Sequence, residues 1–439
     1  MSGVEIGLAS LAAILVLIYS GLHVAISLAL VSFVGIWLLR DNADQAARIL
    51  SLAARESISS YLFGVVPLFV LMGLVVSRAG IGRDTFDVAN RLFHKVRGGL
   101  GMATVGANAI FAAITGISIA SAAVFTKVAV PEMIRIGYTA RFATGIVAGS
   151  SVLGMLIPPS LLLILYGIIA EQSVGALFLA GVGPGVLLAL AYCAGIWAMV
   201  RFCKGFTGTP NELTAEMPEE QSSVASDTVS KLMPILLLVA LVLGGIYGGL
   251  FTPTEAGAIG ALGAIVIAAA KRRIGARTLW DVSLETGHIT ASICFLIIAA
   301  TMYSRMLALS GLPAFLTEWV IALDIGVYGF IALFVLVLIV LGTILDSSSI
   351  MLITLPLVLP VATSMGIDLI WFGLITVLAV EIGLLTPPMG LSVYVIKSTL
   401  DDPSIGLNDI FAGAAPFALI MLLVLLAVVA FPWIATGIL

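Results

Sequence analysis

Two pairs of consecutive prolines lie within long apolar stretches of this sequence. They are Pro158-Pro159, followed by Ser160, and Pro387-Pro388, preceded by Thr386. A proline pair removes two backbone N–H donors and clashes with the carbonyl groups of the preceding turn, so each pair must break a helix. The carbonyl oxygens freed in a membrane interior need a partner, and a bound cation is one such partner. The alternative is a kink whose carbonyls are satisfied by neighbouring helices.

Two longer apolar stretches, 99–134 and 328–363, are interrupted near their middles by small polar residues. Each is nearly twice the length of about 20 residues that crosses a bilayer, which allows two spans or one re-entrant hairpin. The interruptions supply hydroxyl groups and a glycine that permits a tight bend: Thr115, Gly116, Ser118, Ser121, Ser347, Ser348 and Ser349. Surroundings made of oxygen atoms alone suit a hard cation such as Na⁺.

Three of the charged residues within the apolar stretches have two or more possible roles each. Asp346 is an intramembrane carboxylate, which favours a functional role, but it is also placed to cap the helix that follows. Glu381 precedes the second proline pair and is a candidate cation ligand, proton relay or ion-pair partner. Lys127 is placed either to attract an anionic substrate or to extend towards the membrane interface.

We therefore predict two related Na⁺ sites, one in each half of the chain, and no other cofactor. The first would use Thr115, Gly116, Ser118, Pro158, Pro159 and Ser160. The second would use Asp346, Ser347, Ser349, Thr386, Pro387 and Pro388. Substrate-binding residues are predicted at Ser118, Lys127, Ser348 and Gly390, and no catalytic residue is predicted.

The composition determines the kind of fold that must position these groups. Of the 439 residues, 61% are hydrophobic and only 10% are charged, with a net charge of −4. A soluble domain cannot enclose so much apolar surface, and a disordered chain is poor in apolar residues. The absence of a basic excess argues against nucleic-acid binding, and no enzyme motif is present. The sequence predicts an all-α polytopic membrane protein that is not an enzyme.

The distribution of basic residues predicts the orientation of the spans. Clusters of Lys and Arg follow the stretches 61–79, 176–200 and 254–270, and others flank both ends of 99–134. The positive-inside rule places all of them in the cytoplasm only if 99–134 is a re-entrant hairpin. Both chain termini then lie outside. The acidic, polar stretch 205–230 is predicted to be a flexible cytoplasmic linker.

An internal repeat links the two halves at an offset of 229 residues. At this offset Ser118 corresponds to Ser347, and Pro158-Pro159 corresponds to Pro387-Pro388. Residues 1–204 and 231–439 form the two repeats, with broken helices at about 142–170 and 369–397. The amphipathic stretch 41–58 is predicted to be an interfacial helix, and 272–287 occupies the equivalent place. Five crossings in each half invert the second repeat, which is typical of secondary transporters.

Several motifs resemble those of the large membrane subunit of TRAP (tripartite ATP-independent periplasmic) transporters, the DctM type. They are Gly98-Gly99-Leu100, Ile114-Thr115-Gly116-Ile117-Ser118, Pro131-Glu132-Met133, Leu156-Ile157-Pro158-Pro159-Ser160, Thr252-Pro253-Thr254-Glu255 and Gly383-Leu384-Leu385-Thr386-Pro387-Pro388-Met389-Gly390. The resemblance extends from about Pro67 to Pro416. It implies a sodium-coupled importer of the elevator type, in which both hairpins and both broken helices move against a scaffold.

The resemblance also implies partners, substrates and a location. The partners would be a small four-helix membrane subunit (DctQ type) and a periplasmic substrate-binding protein (DctP type) in a bacterial or archaeal cytoplasmic membrane. Substrates would be organic anions such as dicarboxylates, sugar acids, sialic acid or keto acids. One alternative is a stand-alone sodium- or proton-coupled dicarboxylate symporter of the same superfamily. A channel or a purely structural membrane subunit is a second alternative, and the repeated helix breaks argue against it.

Overall fold

The computed structural model describes residues 2–93, 96–208, 224–400 and 402–439, and within these ranges the regular elements are all helices. The helices of the first half are α1 Gly3–Tyr19, α2 Val24–Arg40, α3 Ala43–Ile58, α4 Val65–Arg78, α5 Ile81–Phe93, α6 Gly99–Thr115, α7 Ser118–Val128, α8 Val130–Arg135, α9 Ala140–Ser151, α10 Leu153–Leu156, α11 Leu161–Ile169, α12 Val174–Phe202 and α13 Lys204–Thr207. Those of the second half are α14 Val224–Tyr247, α15 Pro253–Ala270, α16 Ala276–Ser310, α17 Leu312–Ala322, α18 Gly326–Gly342, α19 Ser347–Ser364, α20 Leu369–Leu384, α21 Leu391–Thr399, α22 Leu407–Ala430 and α23 Trp433–Thr436.

Many of these helices are long and apolar enough to cross a membrane. Among the described residues, six qualify singly: Val174–Phe202, Ser230–Tyr247, Pro253–Ala270, Ala276–Ser310, Ser347–Ser364 and Leu407–Ala430. Two bent pairs raise the number to eight, α4 with α5 at 64° and the α9–α10 segment with α11 at 42°. The prediction of an all-α polytopic membrane protein is confirmed.

The repeat is visible in the helix boundaries. Ser118 begins α7 and Ser347 begins α19, while Ala140 begins α9 and Leu369 begins α20, each pair 229 residues apart. The packing follows the same correspondence, because α2 packs against α16 as α15 packs against α4. Likewise α9 packs against α22 and α20 packs against α12. Equivalent helices of the two halves therefore make equivalent contacts.

Each long apolar stretch is divided into two helical arms at the predicted interruption, and the short helix α8 follows α7 at the end of the first stretch. In the first, α6 and α7 turn back on each other, with the rings of Phe111 and Phe125 meeting edge to face at 5.7 Å. In the second, α18 and α19 flank the polar segment that contains Asp346. The two proline pairs interrupt the helices that follow, between α10 and α11 and between α20 and α21. We refer to Thr115–Ser118 as tip 1 and to Thr343–Ser349 as tip 2.

Two predicted segments have different boundaries in the structure. The stretch 41–58 forms the amphipathic helix α3, which buries Ala46, Leu50 and Ala53 on one face. Its counterpart 272–287 is not a separate helix, because the continuous 35-residue helix α16 begins at Ala276 and extends through it. In the first half Pro67 lies in the first turn of α4 and is incompatible with a helix that continues from α3, whereas the equivalent position within α16 is Leu296.

Helices occupy both ends of the stretch 205–230, so the linker is shorter than the sequence predicts. Residues 205–207 belong to α13, whose end is held by a hydrogen bond from the Thr139 N–H to the Thr207 carbonyl oxygen at 3.1 Å. Helix α14 already begins at Val224. The part of the predicted linker from 209 to 223 lies outside the described residues.

Candidate functional site

Tip 1 lies directly against the first proline break. The Leu161 N–H donates to the Gly116 carbonyl oxygen at 3.2 Å, which joins the tip to the start of α11. Gly116 has a φ of +63°, and a Cβ at this position would collide with the Pro159 carbonyl oxygen. Only glycine therefore permits this bend and this close approach together. The structure therefore brings tip 1 and the Pro158–Ser160 segment together.

The hydroxyl groups around tip 1 are buried and differ in their partners. Thr115 Oγ1 donates to the Phe111 carbonyl oxygen at 3.0 Å. Ser160 Oγ donates to the Met155 carbonyl oxygen and accepts from the Leu163 N–H at 3.3 Å. Ser118 Oγ is fully buried and has no hydrogen-bond partner in the structure. Because a buried polar atom without a partner costs free energy, Ser118 is the strongest candidate here for a ligand contact.

A buried polar network supports tip 1, and sequence reasoning named only one of its members. Asn108 Nδ2 donates to Ser150 Oγ at 2.6 Å, and the Asn108 side-chain oxygen accepts from Ser121 Oγ. The network joins both arms of the first hairpin to α9. An asparagine inside an apolar stretch is the signal that could have identified it, since such a group needs a partner in the membrane.

Tip 2 contacts the second proline break in a similar way. The Met389 N–H donates to the Thr343 carbonyl oxygen at 3.1 Å. Gly342 and Gly383 bring α18 and α20 into close contact, since a Cβ on Gly342 would lie 2.7 Å from the Gly383 Cα. Asp346 caps α19, because its Oδ2 accepts from the Ser349 N–H at 3.1 Å and its Oδ1 from the Ser349 hydroxyl. The capping role considered for Asp346 is therefore present, and it does not exclude a second role.

Tip 2 also contacts Glu381. Ser347 Oγ donates to Glu381 Oε1 at 2.9 Å. Glu381 is fully buried, and its Oε2 has no hydrogen-bond partner. Among the described residues the first repeat has no equivalent of this contact, because the position that corresponds to Glu381 is the buried, apolar Val152.

The remaining predicted site residues have varied surroundings. Thr386 Oγ1 donates to the Ile382 carbonyl oxygen at 2.8 Å. Pro387 and Pro388 are exposed, in contrast to the buried first break. Gly390 is buried with a φ of +53°, and a Cβ there would meet the Phe411 ring.

Ser348 is half-buried within tip 2, whereas Lys127 lies away from tip 1. Lys127 is exposed in the last turn of α7, about 14 Å along the helix from Ser118. The structure therefore does not bring Lys127 to tip 1, and its role stays a prediction.

The two tips belong to one packed unit. Helix α7 packs against α21, and α11 packs against α19, so each hairpin contacts the broken helix of the other repeat. The Tyr166 hydroxyl donates to the Leu369 carbonyl oxygen at 2.6 Å and ties α11 to α20. Four helices begin at the tips or breaks, namely α7, α11, α19 and α21. Helix N-termini carry partial positive charge and attract anions.

Comparison with known proteins places this arrangement in a family. Residues 11–434 match the family model described as Tripartite ATP-independent periplasmic transporter, DctM component. The C4-dicarboxylate TRAP transporter large permease protein DctM of Pseudomonas aeruginosa is 34% identical over 89% of this chain and 89% of that protein. The sialic acid TRAP transporter large permease protein SiaM of Vibrio cholerae is 30% identical over 95% of this chain and 94% of that protein.

A solved structure shares the fold. The Alcanivorax borkumensis YdaH transporter has a TM-score of 0.59 and 16% identity, and the similarity covers 90% of each chain. At this identity the likeness shows the fold alone. The curated relatives are permeases and not enzymes, and the family match covers almost all of the sequence, including both tips and both breaks. The chain is therefore a member of the DctM family, the large permeases of TRAP transporters.

Proposed function

We propose that this permease imports an organic anion together with sodium ions by an elevator movement of its two hairpins and two broken helices. The observation that carries the proposal is the pairing of each hairpin tip with a broken helix, at positions related by the repeat. Each pairing gathers backbone carbonyl and side-chain hydroxyl oxygens within the membrane-embedded part of the chain. Alternating-access transporters place their substrate and ion sites at such paired breaks.

The oxygen atoms at the tips support Na⁺ as the coupling ion. At tip 1 the unpartnered Ser118 hydroxyl lies beside the Pro158–Ser160 break, where carbonyl oxygens lack their helical donors. At tip 2 the Ser347 and Ser349 hydroxyls and Asp346 supply the equivalent set. Na⁺ is a hard cation and is satisfied by such neutral oxygens together with one carboxylate.

The four helix N-termini at the tips support an anionic substrate. Each of the helices α7, α11, α19 and α21 begins at a tip or a break, where the partial positive charge of its N-terminus favours an anion. Relatives of this chain are named as transporters of anions with this chemistry, namely C4-dicarboxylate, sialic acid and isethionate. We propose that the substrate of this chain is an organic anion of this kind, recognised by tip residues that include Ser118, Ser348 and Gly390.

A polar cavity supports the elevator movement. It has a volume of about 760 Å³ and separates α3 and α16 from the loop that follows α11. Its polar lining includes Glu56, Ser60, Glu171, Gln172, Ser304 and Arg305. Arg305 pairs with Glu56 at 2.5 Å and ties α16 to α3. We propose that these two helices belong to the stationary frame, and that the α11 side belongs to the moving unit.

Two protein partners complete the proposed transporter in the bacterial inner membrane. The family consists of components of tripartite transporters, and its members are named large permeases. Both names support a second, small membrane subunit of the DctQ type. A periplasmic binding protein of the DctP type would deliver the substrate to the outer face.

The test compares three variants for sodium-dependent uptake in proteoliposomes. Ser118→Ala and Ser347→Ala should each weaken the apparent sodium affinity by about 1.5–3 kcal/mol, the contribution of a hydrogen bond to a charged group. Thr104→Val is the matched control, because Thr104 is equally buried on α6 but donates to the Leu100 carbonyl oxygen far from the tip. Wild-type sodium dependence in both serine variants would contradict the proposed ion sites.

A further inference from the structure

The polar cavity between α3, α16 and the loop after α11 has the size and the lining of a small-molecule site. Its volume is about 760 Å³. Ligand pockets typically have roughly 300–1,000 Å³. One wall is a single face of α16, because Thr301, Ser304, Arg305 and Ala308 follow one another at helical spacing. Among the described residues, Arg305 is the only basic side chain that lines the cavity.

The cavity lies at the end of α16 that is far from the cytoplasmic basic cluster. Arg277, in the first turn of α16, is one of the basic residues that the positive-inside rule places in the cytoplasm. Arg305 lies about 42 Å further along the same continuous helix, and the hydrocarbon core of a bilayer is only about 30 Å thick. We therefore expect the cavity to open on the outer face, where a binding protein would deliver the substrate.

The guanidinium group of Arg305 has unused hydrogen-bonding capacity. It makes one contact, in which Nη2 donates to Glu56 Oε2 at 2.5 Å. Within the described part of the chain, its other N–H groups have no hydrogen-bond partner. A guanidinium binds a carboxylate best through two parallel N–H···O bonds, which this single contact does not provide. The Arg305 and Glu56 side chains are 48% and 61% exposed, and so exposed an ion pair is weak enough for another anion to displace Glu56.

We propose that Arg305 is an outer binding site for the carboxylate or sulfonate group of the substrate, which it holds before the anion reaches the hairpin tips. The inference rests on the proposed function, because it requires an organic anion as the substrate. The incoming anion replaces Glu56 on the guanidinium, and the neighbouring Ser304 hydroxyl supplies a further donor. Glu171 also lines the cavity and repels the anion. Competition from Glu56 and repulsion by Glu171 keep the binding weak, which suits a site that must release its ligand to the tips.

The test measures uptake of radiolabelled succinate, a C4-dicarboxylate, into proteoliposomes that also contain the small membrane subunit, with the succinate-loaded binding protein outside. Arg305→Gln removes the cation and should raise the KM for uptake by roughly three- to tenfold, with little change in the maximal rate. Glu56→Gln removes the competing carboxylate and should lower the KM by roughly two- to threefold, and Glu171→Gln should lower it as well. Arg55→Gln is the matched control and should leave the KM unchanged, because Arg55 precedes Glu56 on α3 but does not line the cavity.

A purely structural ion pair predicts a different pattern, because Arg305→Gln and Glu56→Gln would then break the same contact between α16 and α3. Shifts of the KM in the same direction in these two variants, or a wild-type KM in Arg305→Gln, would overturn the inference alone. The absence of sodium-dependent uptake by the wild-type protein would overturn it together with the proposed function.

A second measurement separates contact with the substrate from contact with the binding protein. Surface plasmon resonance gives the affinity of the substrate-free binding protein for the permease. We expect the same affinity for the wild-type protein and for Arg305→Gln, because the proposed ligand of Arg305 is the substrate. Weaker binding to Arg305→Gln would assign Arg305 to the interface with the binding protein and overturn the inference.

Discussion

Asp84 joins the two halves of the chain through a partly buried charge cluster, and its neutralisation should destabilise the fold. Its Oδ2 lies 3.1 Å from Lys271 Nζ and 2.6 Å from Arg273 Nη1, while Arg273 Nη2 donates to Oδ1 at 3.0 Å. Arg273 Nη1 also donates to the Ala79 carbonyl oxygen at 3.1 Å. The cluster therefore connects α5 of the first half to the junction of α15 and α16. Asp84→Asn keeps the volume and removes the charge that holds both cations.

The size of the effect follows from the exposure of the three side chains. Removing one partner of a buried pair costs about 3–5 kcal/mol, whereas an exposed pair contributes up to about 1 kcal/mol. The Asp84 side chain is only 5% exposed, but Lys271 and Arg273 are 20% and 35% exposed, so water screens the cations. We expect Asp84→Asn to cost about 1–3 kcal/mol, between these two limits.

The assay is the unfolding midpoint in one detergent, followed by tryptophan fluorescence, with Glu285→Gln as the matched control. Glu285 also joins the two halves, through Arg78 at 2.6 Å, but these side chains are 39% and 54% exposed. Its loss should therefore lower stability much less than the loss of Asp84. Equal shifts of the unfolding midpoint in the two variants would contradict the argument that burial makes the Asp84 cluster more stabilising than the exposed Glu285 pair.

Three further predictions concern the tips and the topology. Gly116→Ala should destabilise the protein more than Gly366→Ala. Both glycines have positive φ, but only at Gly116 would the added Cβ meet the Pro159 carbonyl oxygen. Comparable thermal unfolding midpoints of the two variants would contradict this. Tyr166→Phe should cost about 1 kcal/mol of stability, since the hydrogen bond from Tyr166 to the Leu369 carbonyl is lost, and an unchanged midpoint would argue against that contact. A tag inserted at residue 215 should be cytoplasmic and a tag at the C-terminus periplasmic, and accessibility from the same side would contradict the inverted repeat.

The features of the fold that the sequence predicted well are those encoded by local chemistry. Proline pairs break helices wherever they occur, so the breaks at Pro158 and Pro387 follow from the sequence alone. The offset of 229 residues also reproduces the starts of α7 and α19, because equivalent polar residues begin both helices. The continuity of α16 could not be predicted, since an amphipathic stretch joined to an apolar one is compatible with either one helix or two.

The site was predictable in part. Its helix breaks are determined by neighbouring residues in the sequence, whereas its side-chain contacts join residues that are far apart in the sequence. The pairing of each tip with its break followed from the repeat. The bond between Ser347 and Glu381 joins residues 34 positions apart on different helices, and no spacing rule indicates it. The Asn108 network and the Asp84 cluster likewise depend on how distant helices pack.

The measurement that tests the central claim most directly is uptake of a radiolabelled C4-dicarboxylate, the solute named for several relatives, into proteoliposomes. The vesicles would contain this chain with its small membrane subunit, and the binding protein would be added outside. We predict concentrative uptake only when an inward sodium gradient and the binding protein are both present. Uptake that is equally fast without a sodium gradient, or by the purified chain alone, would contradict the account.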